Sequence, residues 1–257
     1  MPKWEHKVAP LQEAAKLKEK SNGLDPVLLN KLGEEGWEAV GGTLKRGDLV
    51  LSARGIEKSF HRGVWPLRRR IEVLRGASLE VRAGELVGLV GENGSGKSTL
   101  IQVVVGLLGS DGGEVERPER LGYCPQQPML WEKLTVAEHF QLYGRAYGMG
   151  DDELGAAEAS LLEELQFARY RDYRTEALSG GTRQKLNLAI SLMHDPELLL
   201  LDEPYSGFDW ETYLRFWEMA QRRRDKGMGI LIVSHLLAER ERLDRMYELC
   251  EGRVCTC

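Results

Sequence analysis

Short uninterrupted apolar runs recur along the chain, each closed by glycines or by a polar pair. Glu85–Val90, Leu198–Leu201 and Gly229–Val233 are too short for buried helices and read as strands covered on both faces, as in a parallel sheet. Leu49–Ala53 and Val73–Val81 carry apolar residues at strand-like intervals, and Leu121–Gln126 reads as a further strand with a polar end. Gly109–Glu116 reads as a turn-rich connection, and the segment joining the first two strands contains Phe60, His61, Trp65 and the run Arg68–Arg70, whose arginines read as a solvated loop, with a face for acidic lipid heads or a partner as the alternative. Between residues 134 and 172 the period becomes helical. Leu134, Val136, Phe140, Leu142 and Tyr143 form one stripe, and Leu154, Leu161, Leu162, Leu165 and Phe167 another, separated by a turn at Gly148–Asp152. This predicts a helical subdomain, about residues 127–185, inserted in an α/β domain over 48–254. Residues 1–47 stand apart as an extension with two helical candidates, Pro10–Lys20 and a segment opening at Asp25-Pro26, then glycines 33, 36, 41 and 42.

The strand ending at Val90 is followed by Gly91, Glu92, Asn93, Gly94, Ser95, Gly96, Lys97, Ser98 and Thr99. Strand, glycine loop, Lys-Ser and an apolar helix in this order form a phosphate-binding loop. Glycines let backbone N–H groups turn inward on phosphate oxygens, and the helix start presents its unpaired N–H groups to the same anion. Lys97 is placed to reach the outer phosphates and Ser98 to ligate Mg²⁺. The helix stripe is Leu100, Ile101, Val103, Val104, Leu107 and Leu108.

Other segments carry chemistry that their own context leaves open. Asp202 and Glu203 emerge at the end of the Leu198–Leu201 run, where open α/β sheets place ligands, and neighbouring strand residues point apart. Asp202 suits Mg²⁺ and Glu203 the attacking water, with helix caps as the alternative. Gln126 offers a side-chain oxygen to Mg²⁺ or a water. Ser179, Gly180 and Gly181 precede a helix with apolar Leu186, Leu188, Ala189, Ile190 and Leu192, and fit either a second anion site or an ordinary cap. His235 ends the Gly229–Val233 run and is either a γ-phosphate contact or a capping or core histidine. Phe60 is either a core residue or an aromatic face for a purine.

Bulk properties narrow the setting. The 257 residues, 42% hydrophobic and 29% charged, are ordinary for a globular protein, and a net charge of -5 argues against broad nucleic-acid binding. No run approaches the roughly 18 apolar residues of a membrane span, and the charged N-terminus does not read as a secretory signal. A cytoplasmic protein is expected. Cys124, Cys250, Cys255 and Cys257 read as free thiols, the last three as a plain tail rather than a soft-metal site.

Together these motifs resemble the ATP-binding subunit of ABC transporters from about Leu49 to Val254, and most of all the separate ATPases of bacterial exporter systems. The resemblance implies a P-loop ABC-type nucleotide-binding domain with a mainly parallel core sheet, an antiparallel β subdomain and the inserted helical subdomain. It implies ATP and Mg²⁺ as ligands. It also implies a second ATPase domain and a transmembrane permease as partners, on the inner face of the membrane. Carried over residue by residue, Phe60 stacks on adenine, Gly91–Thr99 cradles phosphate, and Gln126 senses Mg²⁺ and the permease. Ser179, Gly180 and Gly181 meet ATP across the dimer, Asp202 holds Mg²⁺, Glu203 is the general base and His235 the switch. Two positions depart from the family pattern: Thr182 stands where glutamine is usual and Phe208 where leucine is usual. An importer ATPase, a soluble non-transport ATPase and an ATP-dependent scaffold are the rival readings. A single phosphate loop, and only about 80 residues between Lys97 and Ser179, weigh against the soluble types.

Overall fold

A computed structural model describes residues 37–40, 43–62, 69–234 and 237–256. The chain divides between Asp48 and Leu49 into two units. In the first, β1 (Trp37–Val40) and β2 (Thr43–Arg46) pair antiparallel, with Val40 opposite Thr43. The helical candidates at 10–20 and 25–32 lie outside the described residues.

The second unit is built on the short apolar runs. β5 (Leu86–Val90), β8 (Leu198–Asp202) and β9 (Gly229–Val233) are buried at every position. With β7 (Leu121–Cys124), β10 (Arg245–Cys250) and β11 (Arg253–Thr256) they form a six-stranded sheet ordered β11-β10-β5-β9-β8-β7, parallel except for the β10–β11 hairpin. Their side chains alternate between two cores: Leu199, Leu201, Ile230 and Ile232 on one face, Leu198, Leu200, Leu231 and Val233 on the other. Four buried leucines at roughly 1.5–3 kcal/mol each outweigh the several kcal/mol that a buried carboxylate costs, so β8 carries Asp202 into the interior.

The second core lies between this sheet, α1 (Lys97–Val104) and a three-stranded antiparallel sheet ordered β4-β3-β6. Here the sequence expectations need correction. β3 (Leu49–Arg62) and β4 (Arg69–Arg82) run 14 residues each, well beyond 49–53 and 73–81. The extensions are charged and largely exposed, held by backbone pairing rather than burial, and bulges between Ala53 and Glu57 break their alternation. Arg69 and Arg70 are therefore strand residues; the loop expected before them lies outside the described residues. Gly112–Glu116, expected as a connection, is strand β6 against β3, with Gly113 so close to the Gly55 carbonyl that no side chain would fit. α1 stops at Val104, which leaves Leu107 outside the helix and 65% exposed.

The first core joins the opposite face of the sheet to the helices α2 (Val136–Ala146), α3 (Asp151–Glu164), α4 (Gly180–Leu192) and α5 (Trp210–Asp225). A capping box opens α2: Thr135 Oγ1 accepts from the Glu138 N–H at 3.1 Å and Glu138 Oε2 from the Thr135 N–H at 2.7 Å. Gly144 lets α2 approach Leu154 of α3 more closely than any side chain would allow.

Candidate functional site

The phosphate-loop segment leaves β5 at Val90 and turns through Gly91, Gly94 and Gly96, all at positive φ. A Cβ on Gly91 would lie 2.5 Å from the Leu249 carbonyl oxygen, so only glycine passes beneath β10. Gly96, at φ 106, starts α1 without any side-chain cap, which leaves the first-turn N–H groups and the positive end of the helix dipole facing the loop. Lys97 is 7% exposed; its Nζ donates to the carbonyls of Gly91 at 2.7 Å and Glu92 at 2.9 Å. Ser95 Oγ is buried with no hydrogen-bond partner. Uncapped N–H groups, a buried ammonium and an orphaned hydroxyl are a donor set for phosphate oxygens, and a polyphosphate fits them. Glu92, Asn93, Gly94 and Ser98 are exposed around it, Thr99 half-buried.

Beside this loop, β8 delivers the two carboxylates. Asp202 is 4% exposed, and burial raises its pKa. The Ser98 hydroxyl hydrogen-bonded to it opposes that shift, neighbouring Glu203 adds to it, and Lys97 opposes it. A buried carboxylate bonded to a serine hydroxyl beside a phosphate cradle is an oxygen donor set of the kind that Mg²⁺ takes. Glu203 sits at φ 48, a left-handed conformation rare outside glycine, held by its N–H donating to Val233 O at 3.0 Å. That kink turns the Glu203 side chain away from the path of the strand. Gln126, two residues past β7, then donates from Nε2 to Glu203 Oε2 at 2.9 Å. Its Nε2 is thus directed to Glu203, and its Oε1 is the atom for a metal or water. His235 lies outside the described residues. Just before it, Ser234 is 4% exposed and accepts from the Tyr205 hydroxyl at 2.7 Å. Sequence reading missed Tyr205, whose hydroxyl ties the turn after Glu203 to the end of β9. No local motif marks that contact across 29 residues.

Ser179–Gly181 is not gathered into this cluster. Ser179 and Gly180 are exposed, and the Ser179 hydroxyl serves its own helix: it accepts from the Thr182 N–H at 3.2 Å and lies 2.9 Å from Thr182 Oγ1. Gly181 abuts the turn at Gly207, where a Cβ would stand 2.6 Å from the carbonyl oxygen. Among the described residues, no hydrogen bond joins Ser179 to the phosphate loop. Phe60 is 42% exposed on β3, with Lys58 Nζ 5.8 Å from its ring centroid. Its strand partner, Ile71, is two residues from Val73, which lines Gly96. The core reading of Phe60 therefore fails, and the ring stays available as a stacking face. Among the described cysteines, Cys250 and Cys255 are exposed thiols and Cys124 is buried. No group of three His, Cys, Asp or Glu side chains placed to hold a metal forms among the described residues.

Compared with known proteins, residues 74–206 match the sequence model of the ABC transporter family. The chain belongs to that family. An ABC-family relative, human ATP-binding cassette sub-family A member 10, is 32% identical over 80% of this chain. The chain spans only 14% of the length of that relative. Lipopolysaccharide export system ATP-binding protein LptB of Acidithiobacillus ferridurans is also 32% identical, over 80% of this chain and 89% of its own length. A solved structure of an ATP-binding subunit of an ABC transporter superposes with a TM-score of 0.72 at 28% identity, covering 81% of this chain and 89% of that one. The ABC fold expected from the sequence, α/β with a mainly parallel sheet, an antiparallel sheet and inserted helices, is thus the fold observed.

Proposed function

We propose that this ABC chain is a Mg²⁺-dependent ATPase subunit that closes as a dimer on two ATP molecules and drives export through a separate membrane permease. The observation that carries the reading is the convergence of Lys97, Ser98, Asp202, Glu203 and Gln126, drawn from a loop, a strand end and a second strand end. In this mechanism the α1 N–H groups, Ser95 and Lys97 bind and orient the phosphates of ATP, and Phe60 offers its face to adenine. Mg²⁺, held by Ser98, Asp202 and Gln126, would neutralise phosphate charge. Glu203 takes the proton of a water as the water oxygen attacks the γ phosphorus and the bond to ADP breaks. Gln126 fixes one oxygen of that carboxylate so that the other faces the water. His235 is assigned the γ-phosphate contact through the resemblance alone.

Dimerisation is supported by the exposed position of Ser179 and Gly180, beside the half-buried Gly181 and apart from the phosphate loop, which suits them to a phosphate held by another chain. No helix among the described residues is long and apolar enough to cross a membrane. The membrane path is assigned to a separate polypeptide through the resemblance to separate ATP-binding subunits, of which LptB, matched over 89% of its own length, is one by name. Its docking place is assigned, through the resemblance, beside Gln126 and the 134–172 helices, on the cytoplasmic face. The likeness to LptB, an ATP-binding protein of a lipopolysaccharide export system, supports export over import. Glu203→Gln tests the core of the reading: phosphate release should fall about 10²–10⁴-fold with ATP binding retained. Full turnover in that variant would refute the base assignment. Co-purification from native membranes should bring down a protein with membrane spans; a partner without them would refute the transport role.

A further inference from the structure

Helix α4 presents three buried polar residues to β7 where its neighbours are apolar. Gln184, Asn187 and Ser191 are 2%, 6% and 0% exposed, spaced three and four residues apart along one face. Helix and strand touch at backbone level: Gly122 of β7 is so close to the Ser191 carbonyl that a side chain there would collide with it. Within this tight seam the Asn187 amide donates to Pro125 O at 2.8 Å and to Cys124 Sγ at 3.2 Å, and lies 3.5 Å from Gln184 Oε1. Pro125 O belongs to the planar peptide that joins Pro125 to Gln126. Fixing that oxygen fixes the plane from which Gln126 projects. Gln126 in turn donates to Glu203. At the other end of the same helix, about 12 Å away along its axis, stands Ser179.

We propose that Asn187 is a positioning residue of the ATPase site, pinning the Pro125–Gln126 peptide to the helix that begins at Ser179. The attitude of α4 then sets whether Gln126 reaches Glu203, and a contact made at Ser179–Gly181 is felt at the carboxylate. The inference rests on the ATPase reading above. Packing alone does not ask for an amide here, because Leu186, Leu188 and Ile190 already bury the helix.

Steady-state ATPase measurements on the full chain test this with Asn187→Leu, which keeps the side-chain size and removes the donor. The turnover number should fall about tenfold, the effect of one neutral hydrogen bond lost, with KM for ATP within about twofold. In a Gln126→Ala background the same substitution should cost nothing further, because the two residues act in series. Gln184→Met keeps the bond to Pro125 and should keep wild-type turnover. Wild-type turnover in Asn187→Leu, or a loss that adds to that of Gln126→Ala, overturns the proposal. If Asn187→Leu loses ATP binding, Asn187→Ala removes the amide without adding bulk and carries the same two comparisons. A wild-type chain without ATPase activity overturns the ATPase reading itself, and this inference with it.

Discussion

Helices α1 and α4 both begin at a segment suited to an anion, and their starts are built differently. At α1 the cap is Gly96, left-handed and without a side chain, and Lys97 lies buried across the loop. At α4 the cap is Ser179, exposed, with its hydroxyl already bonded within the first turn. The first start leaves its donors open and surrounds them with Lys97, Ser98 and Asp202 of the same chain. The second satisfies itself and stands apart. The α1 start therefore offers open donors beside groups of its own chain, whereas the α4 start would have to exchange its serine hydrogen bond to take an anion.

The sharpest way to break this contrast is Lys97→Ala against Ser179→Gly. Loss of the Lys97 charge, and of the charged hydrogen bonds it would exchange from the Gly91 and Glu92 carbonyls to phosphate oxygens, should weaken ATP binding to the isolated chain about 100-fold or more, read by equilibrium binding. Ser179→Gly costs only a few tenths of a kcal/mol as a cap. It should leave that affinity within about threefold and lower turnover about tenfold, the effect of one phosphate contact. A matching loss of affinity in Ser179→Gly would merge the two starts into one site. Next in size, Gly181→Ala places a Cβ 2.6 Å from Gly207 O. It should lower thermal stability by about 1–3 kcal/mol and lower turnover with it.

A smaller effect follows from Thr182. Its hydroxyl lies 2.9 Å from Ser179 Oγ, a contact that the usual glutamine would not reproduce. Thr182→Val removes the side-chain contact at nearly constant size while keeping the backbone N–H bond to Ser179, and should raise turnover at low protein concentration about two- to threefold, the scale of about half a hydrogen bond. Unchanged turnover would mean that this contact does not restrain Ser179.

The smallest effect concerns His139, fully buried at the start of the helical region. Its Nε2 accepts from the Trp131 N–H at 2.9 Å, and its Nδ1 lies 2.7 Å from Thr135 O, which fixes the neutral ring. Burial lowers its pKa, opposed by the hydrogen bond to Thr135 and by Glu138. A lowered histidine pKa favours folding above the ordinary value near 6.5, and that contribution is lost as pH falls through it toward the lowered value. Between about pH 7.5 and 5.5 the wild-type Tm should therefore drop further than that of His139→Gln. His194, also lowered by burial, is present in both proteins and cancels.

Legibility in the sequence followed burial and locality. β5, β8 and β9 are covered on both faces, so their apolar runs stood out. β6 reads Gly-Gly-Glu-Val-Glu and gave no such pattern, because its pairing with β3 uses backbone groups that every sequence carries. The phosphate loop was legible because cradle, lysine and helix start lie within nine residues. Asn187 was not, since a polar residue in an otherwise apolar helix looks like a solvated position until the strand it faces is known.

The sequence by itself determined the local machinery: a glycine loop that must turn at positive φ, a lysine and serine at its end, a leucine strand that carries Asp202 and Glu203, and a serine-glycine helix start. These follow from short-range sterics and from the cost of exposing apolar runs. Tertiary structure alone decided that Gln126 meets Glu203 across 77 residues, that Tyr205 meets Ser234, and that Asn187 holds the peptide before Gln126. Those contacts depend on the order in which β7, β8 and β9 stand in the sheet and on how α4 lies against β7. Strand order is a long-range outcome of packing that no local pattern encodes.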